Sequence, residues 1–115
     1  MAYVDGFVIP VPKDKIDAYK AQAKNAGEIW KEHGALDFVE CIGDDVPYGE
    51  VTSFPRAVLA KDDEVVVFSW IVYRSRAERD AINAKVMADP RLDRSMPFDG
   101  KRLIYGGFEM WLKMP

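Results

Sequence analysis

An α+β domain, one antiparallel sheet with two helices on a single face, is what this sequence predicts, and three observations predict it. The first is Glu64 to Tyr73, EVVVFSWIVY, ten residues with one small polar side chain inside, which reads as a strand apolar on both faces. The second is a stripe of Ile16, Tyr19, Ala23, Ala26 and Trp30 at three- and four-residue steps, the period of an amphipathic helix. The third is the order of segments, β-α-β-β-α-β, set by turn chemistry between them.

In chain order, Tyr3 to Val11 alternates as a strand, with Tyr3, Asp5, Phe7 and Ile9 on one face and Val4, Gly6 and Val8 on the other. Pro10 and Pro12, which cannot donate to a ladder, are expected to end it. The first helix is predicted from Lys13 to His33, with Gly34 where a C-terminal cap belongs. Leu36 to Gly43 is the second strand. Asp44 to Asp63 is turn-rich, holding Asp44-Asp45, Pro47, Gly49 and Pro55, with Arg56 to Ala60 as a short strand; a loop of that length suits a lid or a dimer arm, or else hides further structure.

After the central strand, Ser75 and Glu78 have the spacing of a capping box, and Pro90 stops the second helix near Ala88. On it Arg76 and Asp80 are placed to pair, and Ala77, Ala81, Ala84 and Ala88 form a narrow stripe read as facing the sheet. Ile82 and Val86 are read as facing the long loop or a partner subunit. Asp99-Gly100 marks a turn, and Arg102 to Leu112 is the last strand, whose Gly106-Gly107 predicts a bulge or a close backbone approach.

This order is the ferredoxin-like plan, four antiparallel strands with both helices on one face. Phe7, Ile9, Phe38 and one side each of the last two strands are expected on the other face, which is then too apolar for water. A homodimer through that open face, two sheets enclosing a barrel, is the expected remedy.

Composition narrows the function. The chain of 115 residues is one domain, spanning 1–115, with a net charge of −3 and its Lys and Arg dispersed among acids, which argues against nucleic acid. A single cysteine, Cys41, rules out an internal disulfide and fits a reducing cytoplasm. No basic n-region precedes the N-terminal apolar run, which Asp5 and two prolines interrupt, so neither a signal peptide nor a membrane span is expected. No G-x-G-x-x-G follows a strand and no P-loop is present, so no nucleotide cofactor is expected; no metal-ligand spacing is present either.

Several separated strings, YVDGFV, EHGAL, VEC, GDDVP, VVFSWI, MADPR, MPFDGKR and GGFE, resemble the YbaA-like bacterial family, domain of unknown function 1428. The resemblance runs from Tyr3 to Glu109, with Ala2 as a one-residue insertion ahead of the family's start. It implies a dimeric α/β-barrel fold and a small cytoplasmic homodimer, and it implies no reaction.

His33, the only histidine, lies in the last turn of the first helix, either as a general base or as a helix-end cap. Asp5, Glu40, Ser69 and Glu109 interrupt apolar strands, and a buried carboxylate is costly unless paired. On the barrel side they would converge with Tyr3, Tyr105 and Trp111 in a small-molecule pocket, giving Asp5, Glu40, Ser69, Tyr105 and Glu109 as the ligand-binding set. Otherwise they sit at strand edges or pair with Arg56 or Arg102. Cys41 reads as a small buried hydrophobe, Phe68 and Trp70 as core, and Asp99, Lys101 and Arg102 as a pocket mouth or a plain turn. Two function classes follow: a small-molecule pocket, with cofactor-independent monooxygenase-like or cyclase-like chemistry by analogy of fold, or a non-catalytic binding and assembly module.

Overall fold

The computed structural model describes residues 1–115. Strand β1 (Tyr3–Pro12) leads through a 3₁₀ turn (Lys13–Lys15) into α1 (Ile16–Glu32), and β2 (Asp37–Ile42) follows. A one-turn helix α2 (Phe54–Ala57) precedes β3 (Glu64–Tyr73), α3 (Arg76–Ala88) and β4 (Ile104–Glu109). All neighbours in the sheet are antiparallel, in the order β2-β3-β1-β4, with α1 and α3 on one face: the ferredoxin-like arrangement.

Local chemistry accounts for the ends of these elements. His33 caps α1, Gly34 takes φ 115°, and the N–H groups of Gly34 and Ala35 bond back to the carbonyls of Lys31 and Trp30. That is a Schellman motif, and a left-handed residue at its turn requires glycine in practice. At α3, Ser75 Oγ accepts from Glu78 N at 3.1 Å, but the Glu78 carboxylate turns toward Arg74 at 3.9 Å, so only half of the expected box forms. Arg76 and Asp80 do not pair; Asp80 meets Arg79 instead, at 3.3 Å.

Four expectations are corrected here. β1 runs through Pro10 to Pro12, because β4 ends its pairing at Val8↔Ile104 and leaves the far side of β1 without a partner that needs those N–H groups. The expected strand at Arg56 to Ala60 is helix α2, which Ser53 caps by accepting from Arg56 N and in which Pro55 fits the first turn. β4 is shorter than predicted and has no bulge, since its register with β1 is unbroken from Tyr3↔Glu109 to Val8↔Ile104. Gly107 alone of the glycine pair serves close approach: a Cβ there would stand 2.7 Å from the Arg79 guanidinium and collide with the Tyr3 hydroxyl.

The fourth concerns which faces are covered. Ile82 and Val86 pack with Ile29, Ala35, Ile71 and Tyr73 in the main core, and the alanine stripe of α3 faces solvent. The larger side chains win the interior because they remove more apolar area from water. Phe7, Ile9 and Phe38 also lie beneath the helices, so the uncovered face is the alternate set: Val4 and Val8, Val39 and Cys41, Phe68, Trp70 and Val72, Ile104 and Phe108. Cys41 is therefore exposed, not buried. Segment 44–63 folds over one end of that face, where Val58 is buried against Val8 and Val66 and the Phe54 ring meets Phe68 edge-on at 5.7 Å.

Candidate functional site

The register of the sheet draws one polar row out of apolar strands. Glu40 pairs with Ser69, Ser69 with Phe7, and Phe7 with Tyr105, so these four residues cross the sheet side by side on the helix-covered face. Above the row stands the face of α1 that carries Tyr19, Ala23, Ala26 and Trp30. Small alanines hold the helix side low, and the segment 91–103 closes the opposite wall with Leu92, Met96, Phe98 and Leu103. The cleft between them has a volume of about 500 Å³.

Three aromatic pairs border this cleft: Phe7 stacked on Tyr105 with ring centres 6.2 Å apart, Tyr19 edge-on to Phe98 at 5.8 Å, and Trp30 tilted against Phe38 at 6.1 Å. The last pair depends on Gly27 in α1, where a Cβ would stand 2.9 Å from the Phe38 ring. The wall is tied to α1 by Asn25, which donates to Arg91 O and accepts from Asp93 N, and by Gln22, which donates to Ser95 O.

At the floor, the Tyr19 hydroxyl donates to Glu40 Oε1 at 2.6 Å, and the Ser69 hydroxyl lies beside it. Burial against α1 pushes the Glu40 carboxyl above the ordinary carboxylate range, and the bond from Tyr19 offsets part of that rise. Burial and the same bond push the Tyr19 phenol upward, so it holds its proton. Glu40 lies on the edge strand with much of its surface open, so water still reaches it and the carboxylate stays accessible as an acceptor. A second cavity of about 510 Å³ opens on the outer side of this pair, between α1 and the β2 edge, and shares Tyr19, Ala23, Phe38 and Glu40 with the first.

Asp5 lies one row further along and outside the cleft. It is 6% exposed, with Arg79 Nε 3.8 Å from its Oδ1 and with Tyr73 and Asn83 beside it. Around it Trp30 Nε1 donates to Tyr73 OH at 3.1 Å and to Asn83 Oδ1 at 3.0 Å, Tyr73 OH donates to Asn83 Oδ1, and Arg79 donates to Tyr3 OH. This network ties α1 and α3 to β1 and β3.

Burial raises the Asp5 pKa, and Arg79 and the hydrogen bonds only partly counter it. A carboxyl raised in the folded state costs stability when ionised; stability is regained as pH falls through the folded value toward the unfolded one. Asp5→Asn is therefore expected to gain on the order of 1 kcal/mol or less at neutral pH. That gain should vanish in acid, as read by urea unfolding at both pH values. A loss at neutral pH would show instead that pairing with Arg79 outweighs burial.

The remaining sequence candidates are scattered. His33 Nε2 lies 2.9 Å from Asp89 Oδ2, and Arg91 grips the same carboxylate at 2.7 Å while reaching Glu32 at 2.9 Å. Those bonds hold the Asp89 carboxyl well below the usual range and fasten the end of α3 to the end of α1, away from the cleft. Tyr105 borders the cleft but is largely exposed, while Glu109 and Trp111 are exposed beyond it. Arg56 donates to the carbonyls of Tyr48 and Gly49, and Arg102 binds Glu64 and Asp99, so neither partners Glu40 or Glu109. Asp99 also accepts from Lys101 N, the plain-turn reading of that segment. No three His, Cys, Asp or Glu side chains come together as metal ligands, and no helix is long and apolar enough to cross a membrane.

Tyr19, Arg79 and Asn83 escaped the sequence reading. The available signal was a mismatch in each of two segments: a phenol within the apolar stripe of α1 and a carboxylate within an apolar strand, each needing a partner that the other supplies.

A family model described as Protein of unknown function (DUF1428) matches residues 2–100. The chain is 59% identical over 112 residues to the uncharacterized protein YbaA of Escherichia coli (strain K12), across 95% of this chain and 96% of that one. It is similar to the same degree to the uncharacterized protein YbaA of Shigella flexneri. Among solved structures, the de novo designed protein Foldit4 aligns with a TM-score of 0.50 at 12% identity, over 96% of this chain and 99% of that one, a likeness of fold alone.

Proposed function

Because the chain belongs to the DUF1428 family, whose description assigns no reaction, its own geometry has to speak, and we propose that it is a cytoplasmic homodimer that binds a small molecule in the cleft beneath α1. The observation that carries this is the cleft itself: about 500 Å³, mostly apolar, with the Tyr19–Glu40 pair and Ser69 at its floor. Few convergent polar groups in a largely apolar concavity are the usual form of a ligand site. The site lies between helix and sheet in each chain, and the uncovered sheet face is left for the second copy.

Surface area supports the second copy. The chain exposes 7632 Å², whereas a folded monomer of its 13.0 kDa mass exposes about 6,300 Å². An excess on the order of 1,000 Å² is what one partner of a standard interface would cover. The uncovered face is also almost free of charge, Asp37 at its edge excepted, so it can meet its own copy about a twofold axis without repulsion. A free thiol at Cys41 on that face fits a reducing compartment.

Native mass spectrometry of gently purified protein, with denaturing release of whatever co-purifies, tests both parts. The expected result is twice the chain mass plus a defined small molecule, which Glu40→Leu no longer retains. A dimer that is empty after gentle purification, and stays empty when offered apolar probes, would overturn the ligand reading.

A further inference from the structure

The ligand class follows from the polar atoms that the cleft leaves free, and this rests on the cleft being the binding site. At the rim, Gln22 is spent on Ser95 O, Asp93 Oδ1 accepts from Ser95 N, and Arg94 donates to Met87 O. Each of these rim side chains is held in place by a backbone group of the chain. At the floor, Tyr19 has given its one proton to Glu40 Oε1. The unspent capacity there is the second oxygen of Glu40 and the Ser69 hydroxyl; no Lys or Arg is paired with the carboxylate, and Lys20, Lys24 and Lys31 line the outer cavity, not this one.

We infer that the cleft takes an uncharged or cationic aromatic molecule that presents an O–H or N–H donor to Glu40, and that it discriminates against carboxylates. Aromatic character follows from the three ring pairs on its border, which offer faces and edges to a flat guest. The donor follows from Glu40, because an ionised carboxyl can only accept. Exclusion of acids follows from the same group, since an anionic guest would set two carboxylates side by side with no cation paired to either.

Naphthol, naphthylamine, naphthol methyl ether and naphthoate, nearly equal in size and differing in donor and charge, are the probes. Binding is followed by NMR titration at the tryptophan indole N–H signals, since Trp30 borders the cleft and Trp70 lies on the opposite sheet face. Naphthol and naphthylamine are expected to shift the Trp30 signal and to bind at least roughly tenfold more tightly than the ether or the acid. Glu40→Leu is expected to abolish the preference for naphthol over the ether, while Glu40→Gln should narrow the gap between naphthol and naphthoate. Equal binding of all four at Trp30 would overturn the ligand class and leave the cleft standing. Shifts confined to Trp70, or no binding by a folded protein, would overturn the cleft reading as well.

Discussion

Arg102→Met is expected to lower the unfolding free energy by more than the roughly 1 kcal/mol of a surface ion pair. Arg102 meets Glu64 through two parallel bonds of 2.7 and 2.6 Å, and its other contacts are Asp99 at 2.9 Å and the carbonyl of Leu59. The Glu64 side chain is only 3% exposed and that of Arg102 only 14%. Bidentate geometry makes the pair favourable; removing the cation leaves the Glu64 carboxylate with only the Lys61 N–H still bonded to it.

The chain positions explain why this pair matters. Glu64 opens β3 and Arg102 stands two residues before β4, so the pair holds the 91–103 wall of the cleft to the sheet. The double variant Arg102→Met with Glu64→Leu should recover most of the loss, because an apolar pair leaves no stranded charge. Urea unfolding of the single and double variants checks this, and a single-variant loss below about 1 kcal/mol would mean the pair behaves as a surface bridge.

Acid supplies a second reading of the same contact. The bonds from Arg102 hold the Glu64 carboxyl below its ordinary value. A depressed folded pKa contributes stability above the unfolded carboxylate value and loses it as pH falls through the folded one. The wild type should therefore lose stability in acid more steeply than the double variant does.

Phe108→Asp is expected to convert the proposed dimer to monomer, weakening association by roughly a thousandfold or more. Phe108 is 61% exposed in the single chain and lies over Gly6 and Gly106 on the uncovered face, so the substitution costs the monomer little. In a twofold interface it appears twice, and each copy would bury an unpaired carboxylate. Light scattering gives the mass. Alkylation of Cys41, which stands opposite Phe68 on the same face, gives the location: slow in the wild type and fast in Phe108→Asp. A wild-type monomer at micromolar concentration, or a Cys41 that reacts at the same rate in both proteins, would rule out this interface.

The sequence by itself determined the order and type of the main elements and several of their ends. The helical stripe from Ile16 to Trp30, Gly34 after His33 and Ser75 ahead of Glu78 are local signals, set by neighbours three or four residues away, and each appears where it was read. Membership of the family was legible in the same way, from strings spread along the chain. The site was legible only as misfits. Asp5, Glu40 and Ser69 stood out as polar groups in apolar strands, but nothing local said that Glu40 would meet Tyr19, 21 residues away, or that Asp5 would meet Arg79.

Only the tertiary structure decided which face of the sheet the helices cover. In β1, Phe7 and Ile9 alternate with Val4 and Val8, and β3 is apolar on both sides, so a period of two marks two faces without ranking them. The choice depends on packing: the Tyr19 and Trp30 side of α1 and the Ile82 and Val86 side of α3 fit over Phe7, Ile71 and Phe38, and that fit carries Glu40 and Ser69 inward with them. Burial is a property of pairs of surfaces, and a strand with two apolar faces holds no record of which one its own chain will cover.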